Sequence, residues 1–104
     1  MKLVEKLVFD GLTISGNVTS DPILIDQIIA FAAQSVWTGT PTGDLIIEKS
    51  NDKLTWFTED TNALGGAGGS DMVEKSWVAY KWLRFRYAFT GSTGVLTTRF
   101  FAKG

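Results

Sequence analysis

Between Lys2 and Phe9 the side chains alternate, Leu3, Glu5, Leu7 and Phe9 on one parity and Lys2, Val4, Lys6 and Val8 on the other, the pattern of an outer strand with one mixed face. Asp10-Gly11 predicts a turn. Leu12, Ile14 and Val18 share a parity through a second strand ending near Ser20, and Gly16-Asn17 inside it marks a bulge or bend. Two periodicities compete from Asp21 to Trp37. Asp21-Pro22 suits a helix N-cap and N1 pair, and Ile25, Ile28, Ile29 and Ala32 keep helical spacing. Against a helix, Ile29, Phe31, Ala33, Ser35 and Trp37 occupy one strand parity, and a Thr38-Gly39 turn follows. The preferred reading is a short strand at Ile23–Ile25, a helical turn around Asp26-Gln27-Ile28 and a strand from Ile29 to Thr38, with a helix over 22–36 as the open alternative.

Asp44 to Lys49, a Ser50-Asn51-Asp52-Lys53 turn and Leu54 to Thr58 predict a hairpin, with Asn51 and Asp52 supplying the left-handed positions. Gly65-Gly66-Ala67-Gly68-Gly69 cannot pack a core and predicts a mobile surface loop. From Trp77 to Phe89 the odd positions Trp77, Ala79, Leu83, Phe85, Tyr87 and Phe89 are apolar, Lys81 breaks the pattern, and Arg84 and Arg86 face the other way. Gly91 to Gly94 turns this long strand into a last one, Val95 to Lys103, in which Leu96, Thr98, Phe100 and Ala102 share a parity. Seven or eight short strands at close spacing predict a single all-β domain over 1–104, an antiparallel β-sandwich of jelly-roll or immunoglobulin-like type. Trp37, Trp56, Trp77 and Trp82 should divide between core and sheet edges, with at least one exposed.

Composition narrows the function classes. At 104 residues and 44% hydrophobic content the chain is one domain, able to bury roughly two-thirds of its unfolded surface. Ten basic against eleven acidic residues, a formal charge of −1, offer no excess for phosphate neutralisation, so nucleic acid is not expected as a partner. Glu5 and Lys6 interrupt the first apolar residues, and no run approaches the roughly 20 needed to span a bilayer, so neither a standard secretion signal nor a membrane partner is expected. With no histidine and no cysteine, a Ser-His-Asp or Cys-His relay and cysteine-based zinc sites are excluded, and the chain is not expected to be an enzyme.

Glu59-Asp60 and the Asp71/Glu74 pair are better explained as solvated loop charges than as glycosidase carboxylates. The glycine run lacks the Gly-Lys-Ser/Thr of a phosphate loop. Asp52, Glu59, Asp60, Asn62 and Asp71 could offer oxygen ligands to calcium, but without EF-hand spacing turn and surface roles are preferred; no cofactor and no metal are expected. Arg84 and Arg86 share a strand face that could hold an anion, although cross-strand pairs with Glu48 or Asp44 are favoured. Asn17-Val18-Thr19 matches a glycosylation sequon, relevant only in a secreted chain. Exposed tryptophan or tyrosine could stack on sugars. The candidate interaction residues are therefore Trp56, Trp82, Arg84 and Arg86.

Trp-Thr-Gly-Thr-Pro-x-Gly-x-Leu (Trp37 to Leu45), Ser50-Asn51-Asp52 with Trp56, Ala-Tyr-Lys-Trp-x-Arg-x-x-Tyr (Ala79 to Tyr87), Gly-x-x-Gly-x-Leu (Gly91 to Leu96) and the closing Lys103-Gly104 resemble small β-sandwich virion structural proteins of bacteriophages. The resemblance covers Asp21 to Gly104 and consists of turn and core residues. Lys53-Leu54 departs from its usual glycine or polar turn, and the Gly65 to Gly69 loop is particular to this chain. It implies a virion localisation and a non-enzymatic role as capsid-associated, fibre or tail component, with other virion proteins and copies of itself as partners. Lys2 to Phe9 or Val95 to Lys103 would serve as edge strands for assembly, with the glycine loop on the outer surface. The alternative is a discoidin-like carbohydrate-binding module, whose sandwiches also carry a Ser-Asn-Asp hairpin followed by Trp; its partners would be surface glycans.

Overall fold

A computed structural model describes residues 2–65 and 67–104, and among these no helix forms. The strands are β1 (Leu3–Ile14), β2 (Val18–Thr19), β3 (Ile23–Leu24), β4 (Ala30–Gly39), β5 (Asp44–Ser50), β6 (Phe57–Ala63), β7 (Gly69–Ser76), β8 (Trp82–Ala88) and β9 (Gly94–Lys103). They make two antiparallel sheets, one ordered β1-β9-β4-β7, the other β2-β8-β5-β6 with β3 also on β8. Taking β2 and β3 as one interrupted strand, the pairings nest: β1 with β9, β2/β3 with β8, β4 with β7, β5 with β6. That nesting is a jelly roll, which resolves the choice between jelly-roll and immunoglobulin-like sandwiches.

The core lies between the sheets and is built by strand alternation. Phe31, Ala33, Ser35 and Trp37 of β4, Leu83, Phe85 and Tyr87 of β8, and Leu96, Thr98, Phe100 and Ala102 of β9 all point inward and are buried, as their parity predicts. Phe100 joins the layers: its ring lies 5.5 Å from Phe31 in its own sheet and 6.1 Å, edge-on, from Phe85 in the other. Two hydroxyls sit in this core, Ser35 and Thr98, opposite each other in register and hydrogen-bonded at 3.0 Å, so neither is left unpaired.

Several expected boundaries move. Asp10-Gly11 does not turn the chain: β1 continues through it with register shifts between Leu7 and Phe9 and between Phe9 and Leu12, and the Gly11 N–H, at φ 58, donates to the Thr97 hydroxyl. The break comes instead at Gly16-Asn17, where the chain leaves one sheet for the other; Asn17 and Ser20 side chains accept the Phe89 and Phe85 N–H groups and pin the crossing. Residues 25–28 form a β-turn, not a helical one, closed by the Ile28 N–H on the Ile25 carbonyl with Gln27 left-handed at φ 66. In the hairpin, β6 starts at Phe57, so Leu54 belongs to the connection, and its left-handed residue is Lys53 (φ 64) rather than Asn51 or Asp52.

Of the expected glycine loop, Gly66 lies outside the described residues, and Gly69 already opens a strand, β7, that has no counterpart in the sequence reading. The long strand predicted from Trp77 begins only at Trp82. β9 is not an edge: it is hydrogen-bonded on both sides, by β1 and β4, so Val95 to Lys103 cannot accept a neighbour.

Candidate functional site

The four candidate residues meet on the outer face of the β2-β8-β5-β6 sheet. Glu48 on β5 lies in register with Arg84 on β8, and Ile46 with Arg86, so the two arginines flank one carboxylate. Arg84 Nε donates to Glu48 Oε1 at 2.7 Å and Arg86 Nε to Oε2 at 3.3 Å. This is the cross-strand pair expected with Glu48; Asp44 takes no part. Glu48 is 7% exposed, which its two cationic partners make tolerable.

Both tryptophans are drawn into the same surface. The Arg84 guanidinium lies 4.1 Å from the Trp56 ring centroid, and the Trp56 indole N–H donates to the Lys53 carbonyl at 3.2 Å. The Lys53 ammonium sits 4.5 Å above Trp82. Each ring thus already carries a cation on one face, and the surface reads as a mutually satisfied ladder of charge and aromatic contacts.

A second polar group gathers where β6 and β7 close the side of the sandwich. Lys49 pairs with Glu59 at 3.1 Å, Lys75 with Asp60 at 3.6 Å, and Asn62 donates to Asp71. The oxygen donors considered for calcium are thus engaged with lysines, with one another or, for Asp52, with the N–H groups of Leu54 and Thr55; among the described residues no three acidic side chains converge. The Lys49 ammonium lies 5.5 Å from the Tyr80 ring. The Tyr80 hydroxyl is enclosed close to Glu59 without reaching hydrogen-bonding geometry. Burial first and the Glu59 charge second push the phenol well above its ordinary pKa.

Two features were not visible in the sequence reading. Trp77, placed there on a strand, stands in the β7–β8 connection, 87% exposed at φ 59. The outer face of the β1-β9-β4-β7 sheet carries Leu7, Val36, Met72 and Phe101, each between 39% and 51% exposed, around the small Ala32. Among the described residues, no helix is long and apolar enough to cross a membrane.

No family model matches the chain, and no curated protein matches it in sequence. Solved structures do share its fold. The PBSX exported protein XepA superposes with a TM-score of 0.72 at 16% identity, over 97% of this chain and 37% of that one. The SPBc2 prophage-derived protein YomS gives 0.69 at 4% identity, over 97% of this chain and 92% of its own. A chain of the Bacillus endospore appendages, described as disulfide-linked pili, gives 0.60 at 14% identity over 97% and 87%; the present sequence contains no cysteine. This chain therefore spans little more than a third of XepA but nearly all of YomS. At these identities the likeness is one of fold, and at that level the resemblance to small β-rich phage proteins holds.

Proposed function

We propose that the protein is a non-enzymatic structural component of a phage particle, a capsid decoration, fibre or tail element, that works by docking on virion proteins and on copies of itself. The observation that carries this reading is the outer face of the β1-β9-β4-β7 sheet. Across its four strands one row runs Leu7, Arg99, Gln34, Met72 and the next Glu5, Phe101, Ala32, Glu74, so partly exposed apolar groups interleave with charges of both signs, Phe101 and Ala32 between two glutamates and Leu7 and Met72 on either side of Arg99 and Gln34. Phe101 offers apolar area on an inner strand and Leu7 and Met72 offer it on the two edge strands, and Glu5 and Glu74 can meet Arg99 and Lys103 of a copy turned about a two-fold axis. β1 and β7 leave the sheet open at both edges. The fold shared with prophage-derived proteins supports the same reading, as does the lack of histidine and cysteine chemistry.

Two measurements test it. Peptide mass spectrometry of density-purified phage particles from the source should find Ser76 to Phe89 at stoichiometric abundance; its absence from intact particles refutes the virion assignment. Sedimentation equilibrium should show concentration-dependent self-association that Phe101→Glu and Met72→Glu abolish. A strictly monomeric wild type refutes self-docking on this face.

A further inference from the structure

Trp77 is the most exposed large apolar side chain whose backbone is also held left-handed, at φ 59. A bulky residue there stores of the order of 1–3 kcal/mol of strain and persists only where the surroundings impose it. Here they do: the next N–H, that of Val78, is fixed on the Ile29 carbonyl at 2.9 Å. The ring is thereby displayed, not packed.

Beside it lies a recess of about 310 Å³ walled by Lys49, Glu59, Lys75 and Tyr80. Lys49 and Tyr80 are also walls of a second recess of about 420 Å³, which runs past Asn51 and Asp52 to Phe57, itself 60% exposed. Each is within the ~300–1,000 Å³ range of small-molecule sites. The two recesses adjoin at Lys49 and Tyr80, one beside the exposed Trp77 and the other beside the exposed Phe57, and hydrogen-bonding groups line both.

We infer that these adjoining recesses, from Trp77 past Tyr80 to Phe57, bind an uncharged oligosaccharide, whose rings stack on the two exposed aromatics while its hydroxyls bond Glu59, Lys49 and Asp52. Charge selects the class. Lys49 is matched by Glu59 and Lys75 by Asp60, so the recess by Trp77 has no surplus cation for a uronate, sialate or phosphate. Paired ionic groups still offer donors and acceptors to neutral hydroxyls. Two rings separated by a polar wall suit a chain of sugars better than a single one. The site is distinct from the Trp56 and Trp82 surface, whose rings already carry Arg84 and Lys53. It is also independent of the self-docking face.

The test uses the full chain on a printed array of neutral and acidic oligosaccharides, followed by calorimetric titration with the strongest neutral hit. Trp77→Ala and Phe57→Ala should each weaken that binding by about tenfold or more, while Trp82→Ala leaves it unchanged. Both rings are exposed, so the melting temperature should not fall; should Trp77→Ala lower it, Phe57→Ala alone decides. Sedimentation of all three variants should match wild type, which separates failure of this site from failure of the assembly reading. The inference is overturned if wild type binds no neutral oligosaccharide, if both ring variants bind as wild type does, or if only acidic glycans bind and salt removes them.

Discussion

Asp52 does the work of a whole turn with one carboxylate. Its Oδ1 accepts the N–H groups of Leu54 and Thr55 and the Ser50 hydroxyl, while Ser50 Oγ accepts the N–H groups of Asp52 and Lys53. The Thr55 N–H first, then that of Leu54 and the Ser50 hydroxyl, hold the Asp52 carboxyl below its ordinary value of 3.8. A depressed folded-state pKa means a contribution to stability that is present above the unfolded value and is lost as pH falls through the folded one. Asp52→Asn should therefore be less stable than wild type at neutral pH, and the gap between their urea midpoints should close as pH is lowered from about 4 towards 2. A gap that persists unchanged at low pH would mean that the charge on Asp52 is not what holds the turn.

At the scale of elements, the Trp37 to Leu45 motif acquires a physical meaning. Gly43 sits where β4 hands over to β5, with its N–H donating to the Tyr87 hydroxyl at 3.0 Å. A Cβ there would overlap the Ala88 carbonyl oxygen and come within 2.6 Å of the Tyr87 ring tip. Gly43→Ala should cost about 2–3 kcal/mol, read as a lower denaturant midpoint with an unchanged slope; a neutral result would show that the crossing has room to relax. The inward parities of β4, β8 and β9 were legible in the sequence because buried sandwich strands alternate strongly. β7 was not: its inward Asp71 and Lys75 meet Asn62 and Asp60, so Gly69–Ser76 lacks an apolar stripe. The limits of β1 and β8 were hidden for another reason, since bulges and crossings are set by partner strands far away in sequence. Of the candidate surface, the Glu48 pairing with Arg84 and Arg86 could be read from strand registry, whereas the cations over Trp56 and Trp82 depend on where Lys53 lands after an irregular connection. Trp77 continued an apparent alternation, and nothing in its neighbours announces a left-handed backbone.

For the molecule as a whole, nesting makes almost every pairing non-local. Among strands that pair with each other, only β5 and β6 are joined by a short connection; β1 finds β9 across nearly the full chain. Loop-closure entropy opposes each outer pair until the inner ones exist, so refolding should take milliseconds to seconds rather than microseconds, measurable by stopped-flow tryptophan fluorescence. Microsecond refolding would contradict this topology-limited account. The same nesting sets the response to load. Leu3 lies opposite Lys103, and the Gly104 N–H donates to the Lys2 carbonyl, so the two ends of the described fold leave side by side. Tension between them pulls at right angles to β1 and β9 and opens their hydrogen bonds one at a time, like a zip. Force entering across a sheet face is instead shared by many bonds at once. A domain built this way bears stress when gripped by its flanks and yields when drawn by its ends.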